Sequence, residues 1–537
     1  MLAGQALLDY TFYITGFTLY IVFEWIGLPQ IKVNIMFEVA ELGHKIKKQE
    51  YQEQVPDLRV QLLSAQLELR KHDFPVIVLI SGVDGAGKGS TINLLNEWLD
   101  PRYVRSFAFG EPSDEERQRP EFWRFWRDLP SKGRIGLYVG SWYSRPLSQR
   151  VYGEIQDPHL DEALLRINNF EKALVDDGAL IIKVWLHLSK DAQKKRLKTL
   201  ESNPETRWRV TDKDHRHLKL YDDFRHIAEH MLRITSTGEA PWLIVEGTDP
   251  RYRGLTVGKH LLERLNSKFH NGKTAVKKTS KGFRHITPPV SGEPVTVLNT
   301  LDMNLSLTKE QYNSQLEKYQ GKLNVLSRQA LEQRVSSIIV LEGWDAAGKG
   351  GLIRRFVPAL DARHYQVIPI AAPTDEERAH HYLWRFWRHL PAAGFITMYD
   401  RSWYGRVLVE RIEGFANEEQ WMRAYSEIND FEAQLVEFGV VLVKYWLHIS
   451  QDEQLARFKA REQTPFKAFK ITEEDYRNRE KWDLYEHAVN DMVERTSTEY
   501  APWTLLEAND KRYARIKAMK IFCQRLEQAL KKDQKND

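Results

Sequence analysis

Apolar residues at Leu58, Leu62, Ala65 and Leu69 recur at helical spacing and predict an amphipathic helix over 57–72. It leads into the unbroken apolar run Pro75-Val-Ile-Val-Leu-Ile80, which reads as a buried strand. The runs Ala179–Leu188, Ser337–Leu341, Phe395–Asp400 and Val440–Ile449 have the same character. Strands alternating with helical stretches predict a parallel sheet covered on both faces. Two of these strands end in glycine loops, Gly82-Val-Asp-Gly-Ala-Gly-Lys-Gly-Ser90 and Gly343-Trp-Asp-Ala-Ala-Gly-Lys-Gly-Gly351, the second running into the helical stretch Leu352–Phe356.

The two loop lysines, Lys88 and Lys349, lie 261 positions apart, and the same offset aligns nearly everything that follows. Asp114–Arg117 falls on Asp375–Arg378, Phe122–Arg127 on Leu383–Arg388, and Ser141-Trp-Tyr143 on Ser402-Trp-Tyr404. Trp185-Leu-His187 likewise meets Trp446-Leu-His448, and Ala240-Pro-Trp242 meets Ala501-Pro-Trp503. The chain is a tandem duplication, and at 537 residues two domains suit its length. The expected organisation is an apolar extension at 1–35, a first copy at 36–266, a basic linker at 267–295 with a Pro-Pro pair and no acid from Ser267 to Gly292, and a second copy at 296–537.

Strand, glycine loop and helix in succession make a phosphate cradle, in which converging backbone N–H groups and a lysine meet phosphate oxygens. In the second copy its parts are Gly343, Gly348, Lys349 and Gly350, and in the first Gly85, Gly87 and Lys88. The hydroxyl residue that ordinarily follows the lysine and holds magnesium is replaced by Gly350, so the metal needs another ligand. Asp345 in the loop and Asp400 at the end of a neighbouring strand are the candidates. The first copy has Val139 and Gly140 where the second has Asp400 and Arg401, and Leu200 where the second has Arg461. It keeps Asp84 and Lys88, so it retains a phosphate cradle without the parts for metal-dependent transfer. Trp384 and Trp387, at i and i+3, are expected in the core, while Arg385 and Arg388 between them are free to face either a phosphate groove or their neighbours.

A net charge of +4 is modest for this length, so any polyanion site must come from local clustering, and nucleic acid is not an expected partner. The single cysteine, Cys523, excludes an intrachain disulfide or a cysteine metal cluster and suits a reducing cytoplasm. Thr11–Leu28 is strongly apolar but interrupted by Glu24, with no Lys or Arg before Lys32. A membrane anchor, a segment packed on the protein, and an extension preceding a start at Met36 are the three readings. The last is preferred, so no membrane partner is expected.

Gly343 to Gly350, Asp400-Arg-Ser-Trp-Tyr404 and Arg495-Thr-Ser-Thr through Trp503 resemble signatures of the polyphosphate kinase 2 family. Two fused copies together with Tyr404–Glu410 resemble its branch that phosphorylates AMP. The resemblance implies tandem three-layer α/β/α P-loop kinase domains like thymidylate kinase, with parallel sheets and helical lids. It further implies transfer from inorganic polyphosphate to AMP to give ADP, with Mg²⁺, or Mn²⁺ as an alternative, as cofactor. Carried over, Lys349 would bind the transferring phosphate, Asp345 and Asp400 would hold metal, and Arg401 would stabilise developing charge. Arg461 and Asp475 match lid positions, although Asp214 also matches Asp475. Self-association is left open. An ATP-dependent nucleotide kinase and a non-catalytic polyphosphate- or nucleotide-binding regulator are the competing readings.

Overall fold

The computed structural model describes residues 12–15, 18–21, 32–34, 36–273, 296–463 and 473–533. Three short strands, β1 (Phe12–Thr15), β2 (Thr18–Ile21) and β3 (Lys32–Asn34), pair antiparallel. Each copy then builds a five-stranded, wholly parallel sheet. In the first copy the strands are β4 (Val76–Gly82), β5 (Val104–Ala108), β6 (Ile135–Val139), β7 (Leu180–His187) and β8 (Trp242–Glu246), in the spatial order β5-β6-β4-β7-β8. In the second they are β9 (Ser337–Gly343), β10 (Tyr365–Pro369), β11 (Ile396–Asp400), β12 (Val441–His448) and β13 (Trp503–Glu507), in the order β10-β11-β9-β12-β13.

The first strand of each copy thus ends up central, with the chain filling one side and then the other. Central strands have neighbours on both edges and helices over both faces, which is why their side chains are apolar without alternation. Val76 to Ile80 and Ile338 to Leu341 are at most 1% exposed. The crevice at the carboxyl end of such a central strand is where parallel α/β sheets bind ligands, and both glycine loops leave from there.

By its internal contacts the chain divides into one unit of residues 1–111 and 128–279 and another of residues 112–127 and 280–537. The short stretch 112–127, which belongs to the first copy by sequence, therefore packs with the second unit, where Trp126 stacks on Trp387 with ring centroids 5.7 Å apart. The helix expected over 57–72 runs from Lys48 to Leu69 and buries Leu58, Leu62, Ala65 and Leu69, as the spacing indicates. The helix Pro250–Lys273 takes up the first residues of the expected linker, and 274–295 lie outside the described residues. Among the described residues no helix is long and apolar enough to cross a membrane.

Candidate active site

In the second copy β9 delivers its loop at Gly343, whose φ of +150° and close approach to β12 leave no room for a side chain. A Cβ there would lie 2.6 Å from the Leu447 carbonyl oxygen. The helix Lys349–Phe356 starts at Gly348, also at positive φ, so its free N–H groups open toward the loop. Lys349 Nζ donates to the carbonyls of Gly343 (2.6 Å) and Trp344 (3.3 Å), which holds the ammonium inside the curl of the loop. Asp345 is fixed at both carboxylate oxygens: Arg401 Nη2 reaches Oδ1 at 3.2 Å and Asn478 Nδ2 donates to Oδ2 at 3.1 Å. Burial pushes its carboxyl up, but the charges of Lys349 and Arg401 and the hydrogen bonds of Asn478 and Arg401 outweigh burial and leave it below the usual range.

Asp400 is the last residue of β11, level with Leu341 of β9 in parallel register, and Arg401 N donates to the Leu341 carbonyl at 3.1 Å. Arg401 adopts φ +66°, a left-handed conformation that costs a non-glycine residue on the order of 1–3 kcal/mol and that clusters at working sites. The turn is held rigidly from behind. Trp403 Nε1 and Tyr404 Oη donate to Glu432 Oε1 at 3.0 and 2.6 Å, and Lys444 Nζ donates to Glu432 Oε2, Tyr404 Oη and the Thr496 carbonyl at 2.7, 2.9 and 2.7 Å. Both charged side chains are fully buried, and burial drives the Glu432 carboxyl up and the Lys444 ammonium down, each opposed by the other's charge. Lys444→Met strands Glu432 without its cation and is expected to cost about 3–5 kcal/mol in denaturant unfolding. A loss below about 1 kcal/mol would show that the pair is not what fixes the turn.

Several site residues escaped the sequence reading. Glu342, buried beside the loop, accepts from Ser402 Oγ at 2.8 Å, and burial raises its carboxyl although the Lys349 charge opposes this. Its signal was an acid closing an apolar strand. Gln454 donates to the Asp345 carbonyl at 3.1 Å, and the buried Arg457 donates to the carbonyls of Ala346 (3.0 Å) and Ala347 (2.8 Å), pinning the loop to the helix Gln451–Glu462. Trp344 stacks on Trp482 with centroids 3.7 Å apart, and its Nε1 donates to His448 Nδ1 at 3.2 Å, an acceptor that burial keeps neutral by lowering its pKa to about 4. Glu342, Asp345, Lys349 and Arg401 line one cavity together with Leu408, Val409, Trp446 and Tyr485. A lining that combines charged groups with apolar and aromatic ones suits a ligand that carries both phosphate and an aromatic base.

Other expected residues fall differently. Arg461 is half-buried in the last turn of its helix, and the Asp475 side chain lies outside the described residues. Trp384 and Trp387 are buried, as their spacing indicates, while Arg385 and Arg388 pair with Glu377 (3.4 Å) and Glu376 (3.1 Å).

The family model for polyphosphate kinase 2 matches residues 45–273 and again 306–534. The chain belongs to the polyphosphate kinase 2 family. It is 53% identical over 500 residues to a polyphosphate:AMP phosphotransferase of Pseudomonas aeruginosa, covering 93% of this chain and 100% of that one. A polyphosphate:AMP phosphotransferase of Pseudomonas syringae pv. tomato is 50% identical over 501 residues, with the same two coverages. A crystal structure from P. aeruginosa PA01, assigned as polyphosphate kinase 2, superposes with a TM-score of 0.82 at 51% identity over 93% of this chain and 100% of its own.

Against the second polyphosphate kinase 2 domain, the first keeps the loop and the buried clamp but has no counterpart of Glu342, Asp400 or Arg401. Lys183, Glu171, Trp142, Tyr143 and Thr235 repeat the clamp nearly bond for bond. Lys88 donates to the Gly82 carbonyl at 2.8 Å, as Lys349 does to Gly343, and also to Asp84 Oδ1 at 3.0 Å. Asp84 Oδ2 is taken by His217 Nδ1, and His217 Nε2 by the Tyr152 hydroxyl. Burial pushes the Asp84 carboxyl up, yet Lys88 and His217 hold it well below the usual range, as Lys349 and Arg401 hold Asp345 below it in the second domain. Ser81 stands where the second domain has Glu342. Gly140 has the same left-handed backbone as Arg401, at φ +70°, but a Cβ there would fall 2.4 Å from the Phe109 carbonyl oxygen. The first domain therefore has no room for a side chain at the position that Arg401 holds in the second.

Proposed function

We propose that this protein is a polyphosphate:AMP phosphotransferase that works in its second domain: a terminal phosphoryl group of inorganic polyphosphate passes to AMP, giving ADP and a polyphosphate one unit shorter. The observation that carries the reading is that Glu342, Asp345, Lys349 and Arg401 line one cavity in the second domain, with Asp400 on the adjoining strand end, whereas the first domain lacks three of these five residues. The full-length likeness to two proteins named for this reaction supports it.

In the transfer an α-phosphate oxygen of AMP attacks the terminal phosphorus, a P–O–P bridge breaks, and the leaving oxygen carries its electron pair away on the shortened chain. Little covalent work falls to the protein, so positioning and charge stabilisation lower the barrier. Lys349 and the N–H groups of the loop hold the terminal phosphate of the donor. Arg401, aimed into the cavity by its left-handed backbone, meets the charge that spreads over the equatorial oxygens. Trp446 and Tyr485 in the cavity lining accommodate the adenine.

Asp345 and Asp400 are the residues proposed to hold Mg²⁺, with Mn²⁺ as an alternative. Among the described residues no three His, Cys, Asp or Glu side chains converge as a cage. Mg²⁺ takes one or two carboxylates and fills its remaining positions with phosphate oxygens and water, so two acids would suffice. When bound, the cation neutralises phosphate charge and aligns donor with acceptor.

Incubation of the purified protein with AMP, Mg²⁺ and either polyphosphate or ATP tests the assignment. ADP formed with polyphosphate alone is the expected result. ADP appearing from AMP with ATP as the only efficient donor makes the protein a nucleotide kinase, and no turnover with either donor makes it a binding protein.

A further inference from the structure

Glu342, directly before Gly343, ties the phosphate loop to the turn that carries Asp400 and Arg401. Its Oε1 accepts from Ser402 Oγ at 2.8 Å, and Ser402 Oγ in turn accepts from Tyr404 N at 3.3 Å. On one side of Glu342 the Gly343 carbonyl holds Lys349 Nζ at 2.6 Å, and on the other the Leu341 carbonyl receives Arg401 N at 3.1 Å. The end of β9, Leu341 to Gly343, thus anchors the loop lysine, the backbone of the arginine and the serine beside it. Another tie between loop and turn, Arg401 to Asp345 at 3.2 Å, relies on an arginine side chain that is 50% exposed, where solvent weakens the attraction. The Glu342–Ser402 bond is shielded, since the two residues are 5% and 2% exposed.

A buried carboxyl group costs more to desolvate than a hydroxyl, and the first domain shows that the fold does not need one here. Ser81 occupies the matching position at the end of β4, in a sheet with the same strand order. Ser141, the counterpart of Ser402, is kept, and its Oγ accepts from Tyr143 N at 3.4 Å. Its backbone N–H, however, is taken by Ser144 Oγ at 3.0 Å, at a position that holds Gly405 in the second domain. The first domain ties its turn forward to the helix Ser144–Val151, and the second ties it back to the loop strand. The acid is present in the domain that has Asp400 and Arg401, and absent where those positions are Val139 and Gly140. We infer that Glu342 is a positioning residue for the transfer: through Ser402 it fixes the Asp400–Arg401 turn at the distance from the Lys349 loop that the reaction needs. The inference rests on the proposed function and adds what sets the spacing of its two arms.

The test compares wild type with Glu342→Ser, Glu342→Gln, Ser402→Ala and the double variant Glu342→Ser/Ser402→Ala in the full chain, by steady-state kinetics with AMP and polyphosphate and by melting curves. Glu342→Ser copies the residue that the first domain accepts at this strand end. It and Ser402→Ala are each expected to lower kcat about 10²-fold, with KM for both substrates little changed, because the arms are still present but misplaced. The double variant is expected to be no slower than either single one, since both remove the same bond. Glu342→Gln, whose amide oxygen still accepts from Ser402, is expected to recover about tenfold of the loss. Wild-type kcat in a folded Glu342→Ser protein, a rise in KM at unchanged kcat, or losses that multiply in the double variant each overturn the inference. So does a Glu342→Gln protein as slow as Ser402→Ala, which would make the charge and not the bond the working feature; that comparison stands even if Glu342→Ser fails to fold. Absence of ADP from the wild type with any polyphosphate overturns the proposed function instead, so the two failures are distinguishable.

Discussion

Lys349→Ala is expected to remove AMP phosphorylation, whereas Lys88→Ala is expected to leave kcat close to wild type. The two lysines occupy equivalent loops and make the same bond to the glycine carbonyl at the strand end, at 2.6 Å in the second domain and 2.8 Å in the first. What separates them is their company. Lys349 acts beside Arg401, Asp345 and Glu342, all lining the cavity. Lys88 is neutralised by Asp84, and the carboxylate of Asp84 is completed by His217. Removing one preorganised charge from a phosphoryl-transfer site costs on the order of 10²–10³ in rate, and losses within one site do not simply add. Steady-state kinetics of both variants, side by side with circular dichroism, decide the matter. A folded Lys88→Ala protein with kcat as low as that of Lys349→Ala would make the first domain catalytic and refute this division.

The architecture could be read from the chain because both glycine loops follow apolar runs too long and too uniform to be anything but buried parallel strands. The offset between Lys88 and Lys349 then carried β4, β6 and β7 onto β9, β11 and β12. The edge strands β5, β8, β10 and β13 have fewer buried positions and were not among the runs read as strands. Asp345, Lys349 and Arg401 were legible for the same reason: they stand at fixed distances from a glycine pattern. What stayed hidden depends on contacts far apart in sequence. Nothing in the spacing of Asn478 says that its amide meets Asp345, 133 positions away. Arg457 looks like one more charge on a surface helix until it is found buried under the loop, and its partner residue Arg196 in the first domain does not share the task. There Arg253 donates to the Ala86 carbonyl at 3.1 Å, from a position that holds Ala514 in the second domain. The loops are pinned by the same chemistry from different helices, and a fixed offset cannot find such a substitution. The packing of residues 112–127 with the second unit was likewise beyond a repeat alignment, which places them with the copy they resemble.

Asp400→Asn is expected to lower kcat by at least on the order of 10²–10³ with the fold intact. The strand uses only the backbone of this residue: its Cα pairs with Leu341 and Pro369, and its carbonyl accepts from Ile370 N at 3.0 Å. An amide of the same shape leaves all of that in place and removes the negative charge beside the phosphate site. If the carboxylate holds Mg²⁺, raising the metal concentration is expected to recover part of the lost rate, because a weakened site is refilled by mass action. Wild-type kcat in a protein with unchanged circular dichroism would remove Asp400 from the mechanism. The reverse experiment is expected to fail for a structural reason. Placing Asp and Arg at Val139 and Gly140 restores the missing side chains in name, yet a Cβ at Gly140 collides with the Phe109 carbonyl at 2.4 Å. Asp84 stays bound to Lys88 and His217, and Ser81 and Leu200 still lack the acid and the cation of the second domain. Activity from such a doubly substituted first domain, in a chain that also carries Lys349→Ala, would show that charge alone, and not the closed backbone around Gly140, silences it.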